Sequence, residues 1–188
     1  MPANTLTSRL AILDDLPALT ELMALAIGEL QRGFLSPDEI EASRAVMGLD
    51  TQLVRDGTYF VIEGAGEDGG RLAGCGGWSR RATLYGGDHS ADLREPRLLD
   101  PAVDAARVRA MYTHPAFVRR GVGRMIIAVA EAAARAEGFT RTELMATLAG
   151  EPLYRACGYE PIESVFAEAH GQRVPLIRMG KALAFEGH

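Results

Sequence analysis

One junction constrains this chain more than any other feature. Residues 105–113 read as a strand that stops at His114-Pro115. A basic glycine turn follows, Val118-Arg119-Arg120-Gly121-Val122-Gly123-Arg124, and a helix starts within it. Over residues 121–137, Val122, Met125, Ile126, Val129, Ala133 and Ala136 recur at helical spacing on one face. Arg124, Glu131, Arg135 and Glu137 fall elsewhere, and Gly138 ends the run. A strand that passes straight into an amphipathic helix must bury that helix on a sheet.

The junction also has a chemistry. Glycine permits backbone conformations closed to other residues and leaves an anion unobstructed, as Gly121 and Gly123 would here. Successive N–H groups in such a turn form a concave nest, and a helix N-terminus adds its positive dipole end. Arg119 and Arg120 add full charges whose forked donors match phosphate oxygens. A diphosphate is the ligand these parts suit; a tight turn with solvated arginines is the plain alternative. A P-loop is excluded because no Lys-Ser/Thr follows the glycines, and a dinucleotide fingerprint because Ile126 stands where its third glycine belongs.

Composition narrows the partners. The chain has 188 residues, 47% of them hydrophobic, enough for a full core without cross-links. A net charge of −5 argues against a nucleic-acid binder. Cys75 and Cys157 have no second cysteine or histidine at metal spacing, so no metal site is expected and a reducing compartment suits both. The first residues show neither a basic start nor an apolar run, and no stretch reaches the roughly 20 apolar residues of a membrane span. The expectation is a cytoplasmic protein with no membrane partner.

The rest of the chain alternates helices and strands. Residues 9–13 suit a first strand. Asp14 or Asp15 can cap a helix with Pro17 in its first turn and Leu19, Leu22, Met23, Ala26 and Leu30 at helical spacing. Ser36-Pro37-Asp38-Glu39 is a capping box whose helix runs to about Met47. A short helix fits residues 50–55, and strands fit 58–63 and 71–81 around an exposed loop at 64–70. Gly74, Gly76 and Gly77 inside the second of these mark either a bulge or a ligand's close approach. Residues 83–104 show no period and form either a functional loop or a surface insertion. A strand at 141–146, a short helix at 151–157 and two strands at 162–169 and 174–179 around His170-Gly171-Gln172 complete the chain.

The strand, the His-Pro, the Arg-Arg-Gly-Val-Gly-Arg turn, the helix, the next strand and finally Leu153-Tyr154-Arg155-Ala156-Cys157-Gly158-Tyr159 resemble the GNAT superfamily of acetyl-CoA-dependent N-acetyltransferases. The resemblance is well ordered over residues 105–159. It implies one α/β domain over residues 1–188, a mixed, mostly antiparallel sheet of about six to seven strands with helices on both faces. It implies acetyl-CoA as co-substrate, with its pyrophosphate on the turn from Arg119 through Arg120, Gly121, Val122 and Gly123 to Arg124. The pantetheine arm would run beside Met111-Tyr112-Thr113 and past Thr147. A backbone N–H near Met111 would polarise the thioester carbonyl. Tyr154 would protonate the departing thiolate; a phenol of pKa about 10 can serve a thiol of pKa about 8.5. Three positions depart from the family pattern: Val118 where Gln or Arg is usual, Thr147 where Asn is usual, and Gly150 where Ala is usual.

The resemblance implies a primary amine of a small molecule or peptide as acceptor, and a homodimer. Trp78, Arg80, Arg81 and Tyr85 would line the acceptor pocket or, on the plain reading, belong to core and solvated strand end. Glu29, Glu63, Asp88 and His89 are the available bases, and none is singled out. A non-catalytic acyl-CoA sensor, or a dimerisation module on the same scaffold, is the alternative to an enzyme.

Overall fold

The computed structural model describes residues 5–65 and 69–184. The strands are β1 (Leu6–Leu10), β2 (Tyr59–Gly64), β3 (Arg71–Ser79), β4 (Ala106–Thr113), β5 (Arg141–Thr147), β6 (Glu160–Ala169) and β7 (Gln172–Ala182). The helices are α1 (Leu16–Leu30), α2 (Pro37–Ser43), α3 (Thr51–Arg55), α4 (Val122–Ala136) and α5 (Glu151–Ala156). The seven strands form one sheet in the order β1-β2-β3-β4-β5-β7-β6. Every neighbouring pair is antiparallel except β4–β5. The expected sheet class and helices on both faces are therefore present.

Strand alternation sorts the two faces. Val61 and Cys75 point to the α1 side and pack with Leu19, Leu22, Met23, Ala26 and Ile27. Ile62 and Ala73 point the other way and pack with Val122 and Ile126 of α4. Gly74 and Gly76 of β3 belong to this second packing, whereas Gly77 lies against the Thr58 backbone. A Cβ on Gly74 would lie 2.4 Å from Val122 Cγ1, and one on Gly76 would lie 2.5 Å from Ile126 Cγ2. They let α4 settle on the sheet; no ligand approach is needed to explain them. The bulge that they also suggested is real, and it lies opposite, in β4.

Local rules account for most boundaries. Ser36 and Glu39 close the capping box reciprocally, at 3.2 and 2.7 Å. Asp50 caps α3 through Gln52 N. The β6–β7 turn holds His170 at φ 50° and Gly171 at φ 73°, the pair of positive values that a two-residue hairpin requires. β1 is a correction. It ends at Leu10, and Leu13–Asp15 is a 3-10 turn. Asp15 does not cap α1; its carboxylate takes the Ile12 N–H and the Arg9 guanidinium instead. Leu10, Ile12 and Leu13 are exposed, so the apolar run at 9–13 did not mark a buried strand.

Part of the expected loop at 64–70 (residues 66–68) lies outside the described residues. The stretch 83–104 is bound down. Thr83 N donates to Glu95 O, Asp88 N to Leu49 O, and Arg81 bridges to Leu98. It is a flap folded over the end of α3. Among the described residues no helix is long and apolar enough to cross a membrane.

Candidate active site

The turn before α4 is built by backbone conformation. Arg119 has φ 64° and Gly121 φ 86°, both left-handed, on either side of Arg120. The N–H groups of residues 121–124 precede the first intrahelical bond, which Met125 N makes to Gly121 O. They have no hydrogen-bond partner among the described residues. Those unpaired donors, at the positive end of a helix of 15 residues, fit an anionic group. The two glycines have different reasons. Gly121 is required by its φ and has open space beside it. Gly123 has an ordinary φ, but a Cβ there would lie 2.4 Å from Leu153 Cδ2. It lets α4 touch α5.

Arg119 and Arg124 line the cleft beside the turn. Arg120 does not; its guanidinium lies over the Phe117 ring, 4.5 Å from the centroid. Val118 is exposed and lines the cleft with its backbone extended. The missing long polar side chain at 118 therefore leaves Arg119 and Arg124 as the side-chain cations at this end.

The cleft continues between β4 and β5. These parallel strands share only two register pairs, Ala106–Thr142 and Arg107–Glu143, and then diverge. β4 is bulged where the gap opens: its register with β3 shifts at Gly76, and Ala110 takes φ 50°. The buried Tyr59 hydroxyl donates to the Ala110 carbonyl at 2.6 Å and anchors the bulge. His114 N donates to Ala73 O on β3. By alternation the peptide of Tyr112 also faces β3, and those of Met111 and Thr113 face the open gap. The Tyr112 side chain turns to the α1 face, where its hydroxyl accepts from Gly48 N at 2.8 Å.

Across the gap, the chain leaves β5 through Thr147 and enters α5. Gly150 N donates to both Thr147 O and Thr147 Oγ1, each at 3.1 Å. A Cβ at Gly150 would stand 2.9 Å from Tyr154 Cε2, so glycine makes room for that ring. The ring edge meets Tyr159, centroids 6.1 Å apart. The Tyr154 hydroxyl makes no hydrogen bond among the described residues, and the side chain lines the cleft. Burial pushes the phenol above its ordinary value, with a smaller push from Cys157, so it holds its proton at neutral pH.

The whole cleft has a volume of about 620 Å³. Beyond Tyr154 its walls come from α1, the segment after α2, the flap and β7. Of the expected acceptor-pocket residues only Tyr85 lies there. Trp78 is core, edge-on to Phe139 at 5.8 Å. Arg80 pairs with Glu137 and Arg81 with Asp56. None of the four possible bases lines the cleft. Glu29 is exposed on α1, Glu63 pairs with Arg9, Asp88 binds Thr51, and His89 binds the Arg44 carbonyl. Among the described residues no cluster of His, Cys, Asp and Glu side chains could hold a metal ion.

The sequence reading missed Tyr59, Gln31 and Arg109. Arg109 is buried beneath the flap. Its guanidinium donates to Asp50 at 2.9 Å and to the carbonyls of Gly86 and Thr83 at 3.0 and 3.2 Å. An arginine in the middle of a mostly buried strand, between Val108 and Ala110, was the available signal.

Comparison with solved structures finds the same fold. A GCN5-related N-acetyltransferase from Rhodopseudomonas palustris superposes with a TM-score of 0.67 at 19% identity, covering 97% of this chain and 98% of that one. A ribosomal-protein-S18-alanine N-acetyltransferase from Escherichia coli gives 0.57 at 15%, covering 97% of each chain. The paiA N-acetyltransferase from Thermoplasma acidophilum, in complex with coenzyme A, gives 0.58 at 13%, covering 95% and 99%. A sequence search of curated proteins finds no match. The model of the Acetyltransferase (GNAT) family matches residues 22–159, which include the turn, the splayed strands and Tyr154. The chain belongs to the GNAT family of acetyltransferases.

Proposed function

We propose that this protein transfers an acetyl group from acetyl-CoA to a primary amine of a small molecule or peptide, by direct attack within a ternary complex. The observation that carries the reading is the continuity of one cleft. It joins the unpaired amides of residues 121–124 to the Tyr154 hydroxyl through the gap between β4 and β5.

The thioester supplies an acyl group already activated for transfer. The amides of residues 121–124 hold the diphosphate, with Arg119 and Arg124 pairing its charge. Met111-Tyr112-Thr113 and Thr147 border the pantetheine arm. The Met111 N–H, facing the gap, donates to the acyl oxygen and stabilises negative charge there as the amine adds. A carbon–nitrogen bond forms and the carbon–sulfur bond breaks. Tyr154 gives its proton to the sulfur, and the amine's surplus proton returns to that oxygen directly or through water. The phenol is a weaker acid than the thiol it forms, so this transfer is drawn forward by the amine's surplus proton, which restores Tyr154.

We extend the reading to a homodimer through the edge strand β6, where Ile162 and Phe166 are exposed. A monomer mass by light scattering would remove that extension. The transfer itself is tested by incubating the protein with acetyl-CoA and a panel of amines. Equal amounts of free thiol and acetylated amine are expected; tight acetyl-CoA binding with no transfer would identify a sensor instead.

A further inference from the structure

The acceptor end of the cleft has an unusual combination of features. Its wall is apolar: Ile27, Leu30, Val46, Met47, Tyr85 and Leu176 form most of it. Among the described residues no Asp, Glu, His or Lys lines any part of the cleft. The nearby cation, Arg109, is already held by Asp50 and two carbonyls. An ammonium ion would find no carboxylate there, and a carboxylate would find no free cation. A charge brought in would lose its hydration without a partner.

One polar side chain of this wall, Gln31, is turned inwards. Gln31 is 3% exposed, and its Oε1 has no hydrogen-bond partner. Its Nε2 donates to Ile27 O at 3.3 Å and to Ser43 Oγ at 3.0 Å. Ser43 Oγ gives its own proton to Ile40 O at 2.6 Å. Both partners of Nε2 are therefore acceptors, and exchanging the amide's nitrogen and oxygen would lose the bond to Ile27 O and turn the Ser43 proton away from Ile40 O. The network holds Oε1 buried with no accessible surface, so it offers an incoming ammonium ion no acceptor either.

We infer that the acceptor is an apolar primary amine that is uncharged at neutral pH, of which an arylamine is the simplest kind. This rests on the acetyl-transfer reading above. An alkylamine with a pKa near that of lysine is neutral in roughly one molecule in 2,500 at pH 7. An arylamine is neutral almost entirely, arrives with its lone pair free, and needs no base to unmask it. The inference thus accounts for the absence of a base along the cleft. The transfer balances as before: the nitrogen bonds to the acyl carbon, the thiol leaves protonated, and the surplus proton passes to the Tyr154 oxygen or to water.

The experiment compares arylamines with alkylamines, amino acids and a lysine peptide of similar size, following both free thiol and product mass. The arylamine should show kcat/KM at least tenfold higher at pH 7, and flat between pH 6 and 8. Met47→Glu, which adds a carboxylate to the wall at a half-buried position, should shift preference towards alkylamines and leave acetyl-CoA affinity unchanged, which also certifies the fold. Transfer confined to alkylamines, or a rate rising tenfold per pH unit, would overturn the inference and leave the acetyltransferase reading standing. No transfer to any amine would overturn both.

Discussion

At the glycine turn the cleft offers backbone amides and two arginines; past Tyr154 it offers mainly methyl and methylene groups, and the arginine there, Arg109, is already paired. The first end is assembled from a single stretch of seven residues, 118–124, whose conformation is set locally by two positive φ values. The second is assembled from α1, the segment after α2, the flap, β4 and β7. The difference teaches where specificity can vary. The anion end recognises a feature common to every acyl-CoA, through backbone that any side chain leaves intact. The acceptor end is made of side chains, and each can change without disturbing the other end.

The comparison can be broken most forcefully at the acceptor end's foundation. Asp50→Asn leaves the buried Arg109 charge unpaired and loosens the flap that Arg109 holds. Loss of about 3–5 kcal/mol of stability is expected, read by chemical denaturation. Tyr154→Phe, where the two ends meet, should lower kcat by roughly 10²-fold or more with acetyl-CoA affinity nearly unchanged. Full activity in that variant would remove the acid from the mechanism. At the anion end, Arg124→Ala should raise the KM for acetyl-CoA about tenfold and leave the acceptor's KM alone.

The smallest effect concerns the base of the flap. Asp56 accepts from Arg81 and Gln52, and the Arg81 hydrogen bond holds its carboxyl below the usual carboxylate range. A depressed carboxyl contributes stability that is complete above its unfolded pKa of about 4 and is lost as pH falls through the folded value. Thermal unfolding of Asp56→Asn should therefore match the wild type more closely at pH 3 than at pH 7.

The same contrast explains what could be read from the sequence. The turn, α4 and Tyr154 were legible because their residues are neighbours in the chain or carry a fixed order. The capping box and the hairpin at His170-Gly171 were legible for the same reason. Gln31 was not, because its meaning depends on Ser43, Ile40 and a cavity formed by distant segments. Trp78, Arg80 and Arg81 misled because strand residues near a glycine-rich stretch were taken to face a ligand. Gly74 and Gly76 face α4, Gly77 faces the Thr58 backbone, and the two arginines face Glu137 and Asp56. Gly123 was legible as essential, but its reason, contact with Leu153, required the fold. A bulky substitution there would disturb α4–α5 packing as well as any ligand, so Arg119 and Arg124 are the cleaner probes.

The central claim is that one cleft holds acetyl-CoA at its basic end and an amine at its apolar end. Amide and side-chain NMR during a two-step titration tests it most directly. Coenzyme A should shift the backbone amides of residues 121–124 and of Met111 and Thr113, leaving the Gln31 side-chain amide in place. An arylamine added to that complex should then shift the Gln31 side-chain amide and Tyr85. If coenzyme A left the amides at 121–124 unmoved, or the amine perturbed only residues outside the cleft, the account would be contradicted.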